Sequence, residues 1–572
     1  MQAIQDVITS EQVQQARQVL ERYRQGKANL ERRVVENEQW YKLRHWECMR
    51  SRNTSVEPAS GWLFNAIANK HADAMDNFPS AVILPREESD QAEAEMLSAI
   101  IPVVLQQNDF EEVYDRVWDY KLKAGTGIYG VFWDGSKLGG LGDIAIRKVD
   151  IINLFWESGI TDIQQSRNLF HVELRDNDLL VQEYPELQDK LGEATVDLSR
   201  YVYDDNVDCN GKTAVVDWYY KQGGRLHYCK FVGDTVLYAS QNDPRYRERG
   251  WYDHGLYPFV FDPLFSVEGT PCGFGYIDVG KSAQEYIDRG NQAIMQNMLV
   301  NARPRHFIRT DGEVNEEEYA DLSRDFIHVQ GNLGQDSILP VQTKPLNDIY
   351  ITVLNNKIDE LKEVTGNRDV STGGTAGVTA ASAIAAMQEA GSKLSRDNNK
   401  AAFRAYRKMV LMVIELIRQF YDAPRCFRIL GSNGGTRFVR YSNESLLPRH
   451  LGMDFGQDLG YRTPLFDIEV VAQKQSPYSR LSQNELALQF FGAGFFDPRL
   501  AQQALQCLQM MDFDRKQFVM EQVAENARSY AQTMAAQGIA LDPKRTPSLG
   551  GSSENRGVQK SRQRVADSTS PV

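Results

Sequence analysis

Gly125-Thr126-Gly127-Ile128-Tyr129-Gly130 has the GxGxxG spacing that lets a backbone approach a pyrophosphate. That chemistry needs a strand before the glycines and a helix after them, because the helix N-terminus faces the phosphates. Here a helical pattern precedes and an alternating one follows, which is the wrong order. Asp454-Phe455-Gly456 spells the magnesium-holding tripeptide of protein kinases, and Ala145-Ile146-Arg147-Lys148 loosely echoes their lysine strand. No His-Arg-Asp loop and no Ala-Pro-Glu accompany them, so the phosphoryl-transfer machinery is missing. Asn206, Asp208, Asn210, Gly211 and Asp217 fall at positions 1, 3, 5, 6 and 12 of a calcium loop. The first should be Asp and the last Glu, with helices on both sides. Strand patterns flank this stretch instead, and Asn210-Gly211 reads as a hairpin turn.

The remaining chemistry-bearing types are scattered. The chain has no GxxxxGK[ST], no HExxH and no GxSxG, and its 8 histidines form no ligand spacing. The 6 cysteines (Cys48, Cys209, Cys229, Cys272, Cys426, Cys507) include no CxxC pair, so neither a zinc site nor a disulfide framework is suggested. A reducing compartment fits that usage. No catalytic, cofactor-binding or metal-ligating residue is nominated.

The 572 residues correspond to roughly four domain-sized units. Hydrophobic residues at 42% and charged residues at 25% are those of a folded chain. With 64 basic against 77 acidic residues the net charge is −13, which excludes gripping nucleic acid with the whole surface. It still permits a protein that lets nucleic acid pass. No apolar run reaches the ~20 residues of a membrane span, and the best, Met409 to Ile417, is interrupted by Glu415. The start, MQAIQDVITS, carries Asp6 and no basic segment before an apolar run, so it does not read as a secretory signal.

Periodicity predicts an α+β chain. Thr9-x-x-Gln12 has capping-box form ahead of a helix from Ser10 to about Arg33, and Trp40, Tyr41 and Trp46 follow as an aromatic cluster. Helices are expected at 62–75, 89–107 and 109–123, then strands at 127–133, 142–150, 168–175, 199–206, 214–221, 226–232 and 235–239. Residues 276–302 return to helix, with Val279, Ala283, Ile287, Ile294 and Met298 near one stripe. Asn347 can cap a helix over 348–365 that carries Ile351, Leu354, Ile358 and Leu361. Gly366 to Val378 is a loop by composition, and Thr379 can cap a long helix to about Tyr421, kinked near Gly391 to Lys400. Strands and loops occupy 427–472. Helices follow at 480–490, 498–510 and 513–536, with Asp497 as cap and Pro498 at the first position of the second. The tail from Leu541 is too poor in bulky apolar groups to order itself.

Two stretches resemble the portal proteins of tailed bacteriophages, the head-to-tail connector family. One is Gly255-Leu256-Tyr257-Pro258-Phe259, then Pro271-Cys272-Gly273-Phe274-Gly275, then the helix with Gln284, Asp288, Asn291 and Asn297 that ends in Arg303-Pro304. The other, more specific, is Val364-Thr365-Gly366, Ser371-Thr372-Gly373-Gly374-Thr375 and Thr379-Ala380-Ala381-Ser382-Ala383-Ile384. The order of elements agrees from about residue 10 to 540.

The resemblance implies a portal-like multi-domain subunit of a ring, twelve-membered in that family. It implies a wing over 1–270 and 422–475, stem helices over 271–302 and 346–365, and a clip over 303–345. It further implies a tunnel loop over 366–378, a long wing helix over 379–421, a helical crown over 476–540 and a disordered tail over 541–572. The implied function is a non-enzymatic channel at the capsid vertex for packaging, retaining and ejecting double-stranded DNA. Asn367, Arg368, Ser371, Thr372, Gly373, Gly374 and Thr375 would then face the DNA. Arg303, Arg305, Arg309, Asp311 and Glu313 would dock the terminase large subunit and later the head-tail adaptor or tail proteins. Scaffold and major capsid proteins are the other implied partners. The implied location is the virion, after assembly in the host bacterial cytoplasm, with no membrane and no cofactor.

Independently of that likeness, a lone two-helix column buries little surface and needs neighbours, which a closed ring supplies. An acidic wall also suits sliding DNA, because it repels phosphates rather than binding them. The rival reading is a soluble cytosolic enzyme whose glycine-rich loop 366–378 closes over a small ligand. Mass in solution separates the two.

Overall fold

Helix α1 (Ser10–Tyr41) begins at the expected cap, where the Gln12 side chain accepts from the Thr9 amide at 3.1 Å. It runs past the expected end at Arg33, because Val34, Asn37 and Trp40 continue the buried stripe of Val13, Ala16 and Leu20. The computed structural model describes residues 7–49, 56–188, 191, 211–302, 306–308, 315, 317–318, 328, 338–340, 347–366, 393–430, 436–450, 453–454, 457–458, 460–474, 487–510 and 516–536. The chain divides into two units, Met1–Gln475 and Ser476–Val572.

In the first unit α2 (His45–Cys48) and α3 (Trp62–Met75) follow α1, and α3 buries Leu63, Ala66, Ile67 and Ala74 as its periodicity predicts. Strand β1 (Asn77–Pro85) then precedes α4 (Gln91–Gln107) and α5 (Phe110–Ala124). β1 was not expected. Its alternating burial, with Ala81 and Ile83 inward, is set by a partner far along the chain. Strands β2 (Thr126–Asp134), β3 (Asp143–Lys148), β4 (Leu154–Trp156) and β5 (Asn168–Asp176) come next, then α6 (Asn177–Glu183). They are followed by β6 (Lys212–Gln222), β7 (Arg225–Val232), β8 (Thr235–Ala239) and β9 (Phe259–Pro263).

Two antiparallel sheets result, ordered β3-β2-β9 and β4-β5-β6-β7-β8. The larger one lays Phe155, Phe170, Val172, Val216 and Phe231 against Val13, Ala16 and Leu20 of α1. The expected hairpin of 199–206 with 214–221 is overturned between Val216 and Tyr220. There β5 occupies one edge of β6 and β7 the other. Residues 199–206 and Asn210 lie outside the described residues, whereas Gly211, at φ +74, gives its carbonyl to the Asn177 amide.

The short pair β10 (Phe265–Ser266) and β11 (Gly273–Phe274) leads into α7 (Tyr276–Ala302). A second pair, β12 (His306–Ile308) and β13 (Ile338–Pro340), precedes α8 (Ile349–Thr365). Asp348, not Asn347, stands at the cap of α8, with no side-chain bond. The long helix is described as α9 (Lys393–Phe420) and buries Ala402, Tyr406, Met409, Val413 and Ile417. Its expected cap at Thr379 lies outside the described residues.

Hairpin β14 (Arg425–Leu430)–β15 (Thr436–Tyr441) follows, then the short strands β16 (Arg449–His450), β17 (Met453–Asp454), β18 (Gln457–Asp458) and β19 (Tyr461–Arg462). Asp454 pairs with Gln457 between β17 and β18, and Phe455 and Gly456 of the DFG letters lie outside the described residues. Finally β20 (Phe466–Lys474) pairs with β1 from Asn77↔Lys474 to Pro85↔Phe466.

The second unit contains α10 (Ala501–Met510) and α11 (Lys516–Ala536), around Phe490, Ala504, Leu508 and Val523. The expected cap is misplaced. Asp497 accepts from the Arg499 amide in a turn, and the helix starts only at Ala501. The α+β class stands. Among the described residues no helix is long and apolar enough to cross a membrane.

Candidate functional site

Helices α7 and α8 run antiparallel. A Cβ added to Gly280 would lie near Leu361, and one on Gly290 would touch Leu354 at 3.4 Å, so α8 descends as α7 rises. Lys357 of α8 also sits 5.2 Å over the Tyr286 ring. Only the root of this pair is buried.

The root is held by polar groups rather than by the expected apolar stripe alone. Ala283 and Ile287 are buried, but Val279 and Met298 are exposed, and Gln284 and Asp288 are buried beside the first two. Asp288 accepts from His45 Nδ1 at 2.5 Å, the Ser60 amide at 3.0 Å, the Ser60 hydroxyl at 2.8 Å and Gln284 Nε2 at 3.1 Å. His45 Nε2 faces the Trp40 carbonyl at 3.0 Å, so both ring nitrogens face oxygens that only accept. Gln284 further accepts from the Leu63 amide at 3.2 Å. Every strong acceptor of the buried carboxylate is thus used, which is what makes its burial tolerable. His45 and Ser60 carry no local signal in the sequence, because their partner is more than 200 residues away.

Of the residues that carried the family likeness, Gly273 and Gly275 are joints at this root. Gly273 donates to Thr126 Oγ1 at 2.8 Å, and its carbonyl accepts from Arg33 at 2.7 Å. A Cβ on Gly273 would meet the Phe265 carbonyl at 2.3 Å, and one on Gly275 the Leu122 carbonyl at 2.6 Å. The Gly275 amide is capped by Asp278 at 2.8 Å, and Asn37 bridges Asp278 and the Lys123 carbonyl. Tyr257 is fully buried and donates to the Ser166 carbonyl at 2.8 Å.

The GxGxxG stretch serves the same joint. Gly125 takes φ +86 at the end of α5 and lies against Gly273 and Phe274. Gly127 leaves room for Val117 and Lys121. Lys121 Nζ meets Asp262 Oδ1 at 2.7 Å, both side chains buried, with the ammonium 4.4 Å over Trp118. Burial pulls the Lys121 ammonium down and pushes the Asp262 carboxyl up, and each partner opposes the other's shift. The glycines accommodate a buried ion pair, not a phosphate.

Beyond the root, both helices are bare on one chain. Tyr286 is 59% exposed, Met298 54%, Ile349 60% and Ile351 54%. Among the described residues no cluster of His, Cys, Asp or Glu could hold a metal ion.

A family model described as phage P22-like portal protein matches residues 71–543. The chain belongs to that family. No curated protein matches it. The match spans α7, α8 and the segments between and after them, so this portal protein carries both candidate sites within the matched region. Of the tunnel-loop candidates, Asn367, Arg368, Ser371, Thr372, Gly373, Gly374 and Thr375 lie outside the described residues, as do Arg303, Arg305, Arg309, Asp311 and Glu313. The loop's first residue, Gly366, ends α8 at φ +65, a left-handed cap that suits glycine.

The chain next to Gly255 suggests a pH dependence of stability. There His254 accepts from the Leu256 amide at 3.0 Å through Nδ1, stacks on Tyr252, and is pulled down by burial to about 4. Its folded value lies below the usual 6.5, so between those two pH values the unfolded chain binds the extra proton. Stability is therefore present above pH ~6.5 and lost as pH falls toward 4, by about 2 to 3 kcal/mol. Urea unfolding at pH 7 and pH 4 should show a smaller loss for His254→Phe than for the parent chain. An equal loss in both would contradict this assignment.

Proposed function

We propose that copies of this chain close into a ring, of twelve subunits by family likeness, that forms the DNA channel at a phage capsid vertex. The observation that carries the reading is the set of exposed apolar residues on α7 and α8 above a tightly bonded root, in a chain of the portal family. Neighbouring helix pairs cover these residues, and a closed ring leaves no end exposed. The net charge of −13 favours passage of DNA over its capture.

In this reading α7 and α8 are the stem, 303–345 the clip that docks terminase and then adaptor, and 366–378 the loop that meets DNA. Scaffold and capsid proteins surround the wing, formed by 1–270 and 422–475. The crown spans 476–540, and the tail from 541 is dispensable for assembly. No catalytic residue takes part, and family membership favours this role over a ligand-closing enzyme.

Light scattering should give about 780 kDa for twelve subunits of 65.0 kDa, and projection images should show closed rings. Tyr286→Asp combined with Ile351→Asp should shift the protein to small species that remain folded. A parent chain that stays monomeric at micromolar concentration would sink the proposal.

A further inference from the structure

Hairpin β14–β15 turns one face inward, where Phe427, Ile429, Val439 and Tyr441 join the main core. Arg425 shares that side, donating to the Gly142 carbonyl at 2.7 Å with its guanidinium 4.1 Å from the Tyr421 ring. The outward face presents Cys426, Arg428, Phe438 and Arg440, with Arg437 exposed beside them. Phe438 is 70% exposed.

The register places Cys426 opposite Arg440 and Arg428 opposite Phe438. Arg428 and Arg440 are therefore diagonal neighbours on one face, with about 7 Å between them and the phenyl ring alongside. Among the described residues Arg428, Arg437 and Arg440 make no ion pair. Other arginines of the same unit do: Arg418 pairs with Glu415, Arg462 with Asp90 and Arg86 with Asp467. Two unneutralised guanidinium groups, those of Arg428 and Arg440, thus flank the bare Phe438 ring on this face, while Arg437 lies on the opposite parity of β15.

We propose that this face docks an acidic protein segment in which carboxylates flank an apolar residue. Arginine forks pair with carboxylates in bidentate fashion, and arginine and aromatic side chains together anchor protein interfaces. A DNA backbone would engage the charges and leave Phe438 in water, so the ring favours a protein partner. The inference does not rest on ring closure, because every residue involved belongs to one hairpin of one chain.

The test uses the full chain and a short fluorescent peptide, Glu-Asp-Glu-Leu-Phe-Glu-Asp-Glu, with a lysine-for-acid version and a short DNA duplex as controls. Anisotropy titration should show binding of the acidic peptide alone, weakened at least about tenfold by Arg428→Glu with Arg440→Glu. Phe438→Ser should weaken it by a similar factor, and bound peptide should slow alkylation of the exposed Cys426. Arg428→Gln with Arg440→Gln serves if the reversed pair fails to fold. Equal peptide affinity in parent and variants would overturn the proposal. So would duplex binding that the arginine variants abolish, or a loss of assembled mass in them, which would assign the face to DNA or to a second copy.

Discussion

Gly373→Val together with Gly374→Val leaves rings assembled and lowers DNA packaging by at least about tenfold. Four glycines at 366, 373, 374 and 377 give the proposed loop access to positive φ, and valine forfeits that freedom at a cost of about 1–2 kcal/mol per left-handed residue. Ser371, Thr372 and Thr375 offer weak hydrogen bonds to phosphates, and Arg368 offers one charge per subunit, enough to guide DNA without braking it. Among the described residues the stem root is bonded through His45, Ser60, Gln284 and Asp288, so assembly should survive the change. Mass and packaging are measured separately for that reason. Normal packaging by the double valine variant would remove the loop from the channel.

Asp262→Asn costs about 3–5 kcal/mol of stability, because it strands the fully buried Lys121 ammonium without a counter-charge. Lys121→Met alone costs a similar amount by stranding the carboxylate. Joined as Lys121→Met with Asp262→Asn, the two changes cost far less than their sum, since no charge remains to be desolvated. Urea denaturation of the four proteins closes the cycle. Additive single costs would show that the pair is not the coupling between α5 and β9. The same series tests the glycine stretch: Gly127→Ala drives a methyl into Val117 and against Lys121, and should destabilise as overpacking does.

Helix α3 was legible to the residue, Trp62–Met75, because an amphipathic stripe is a local property. The same holds for α7, whose bounds follow from its composition between the Gly275 cap and Pro304. The strand at Asn77–Pro85 was not legible. It contains Pro79 and Pro85, and its reason to be a strand is Phe466–Lys474, nearly four hundred residues later. The Asn210-Gly211 signal has the complementary limit: a good turn signal says nothing about which strands compete for an edge, and from Val216 to Tyr220 β5 and β7 hold both edges of β6.

By itself the sequence determined the α+β class, most helix positions and, through the Gly255–Gly275 and Val364–Ile384 residues, the portal family. Those are encoded in runs of neighbouring residues. Only the tertiary structure decided that GxGxxG houses Lys121 and Asp262, that His45 and Ser60 hold Asp288, and that Arg428 and Arg440 share one exposed face of β14–β15. Each of these is a contact between residues far apart in the chain. Its energy depends on burial and distance, which no local pattern of residue types records.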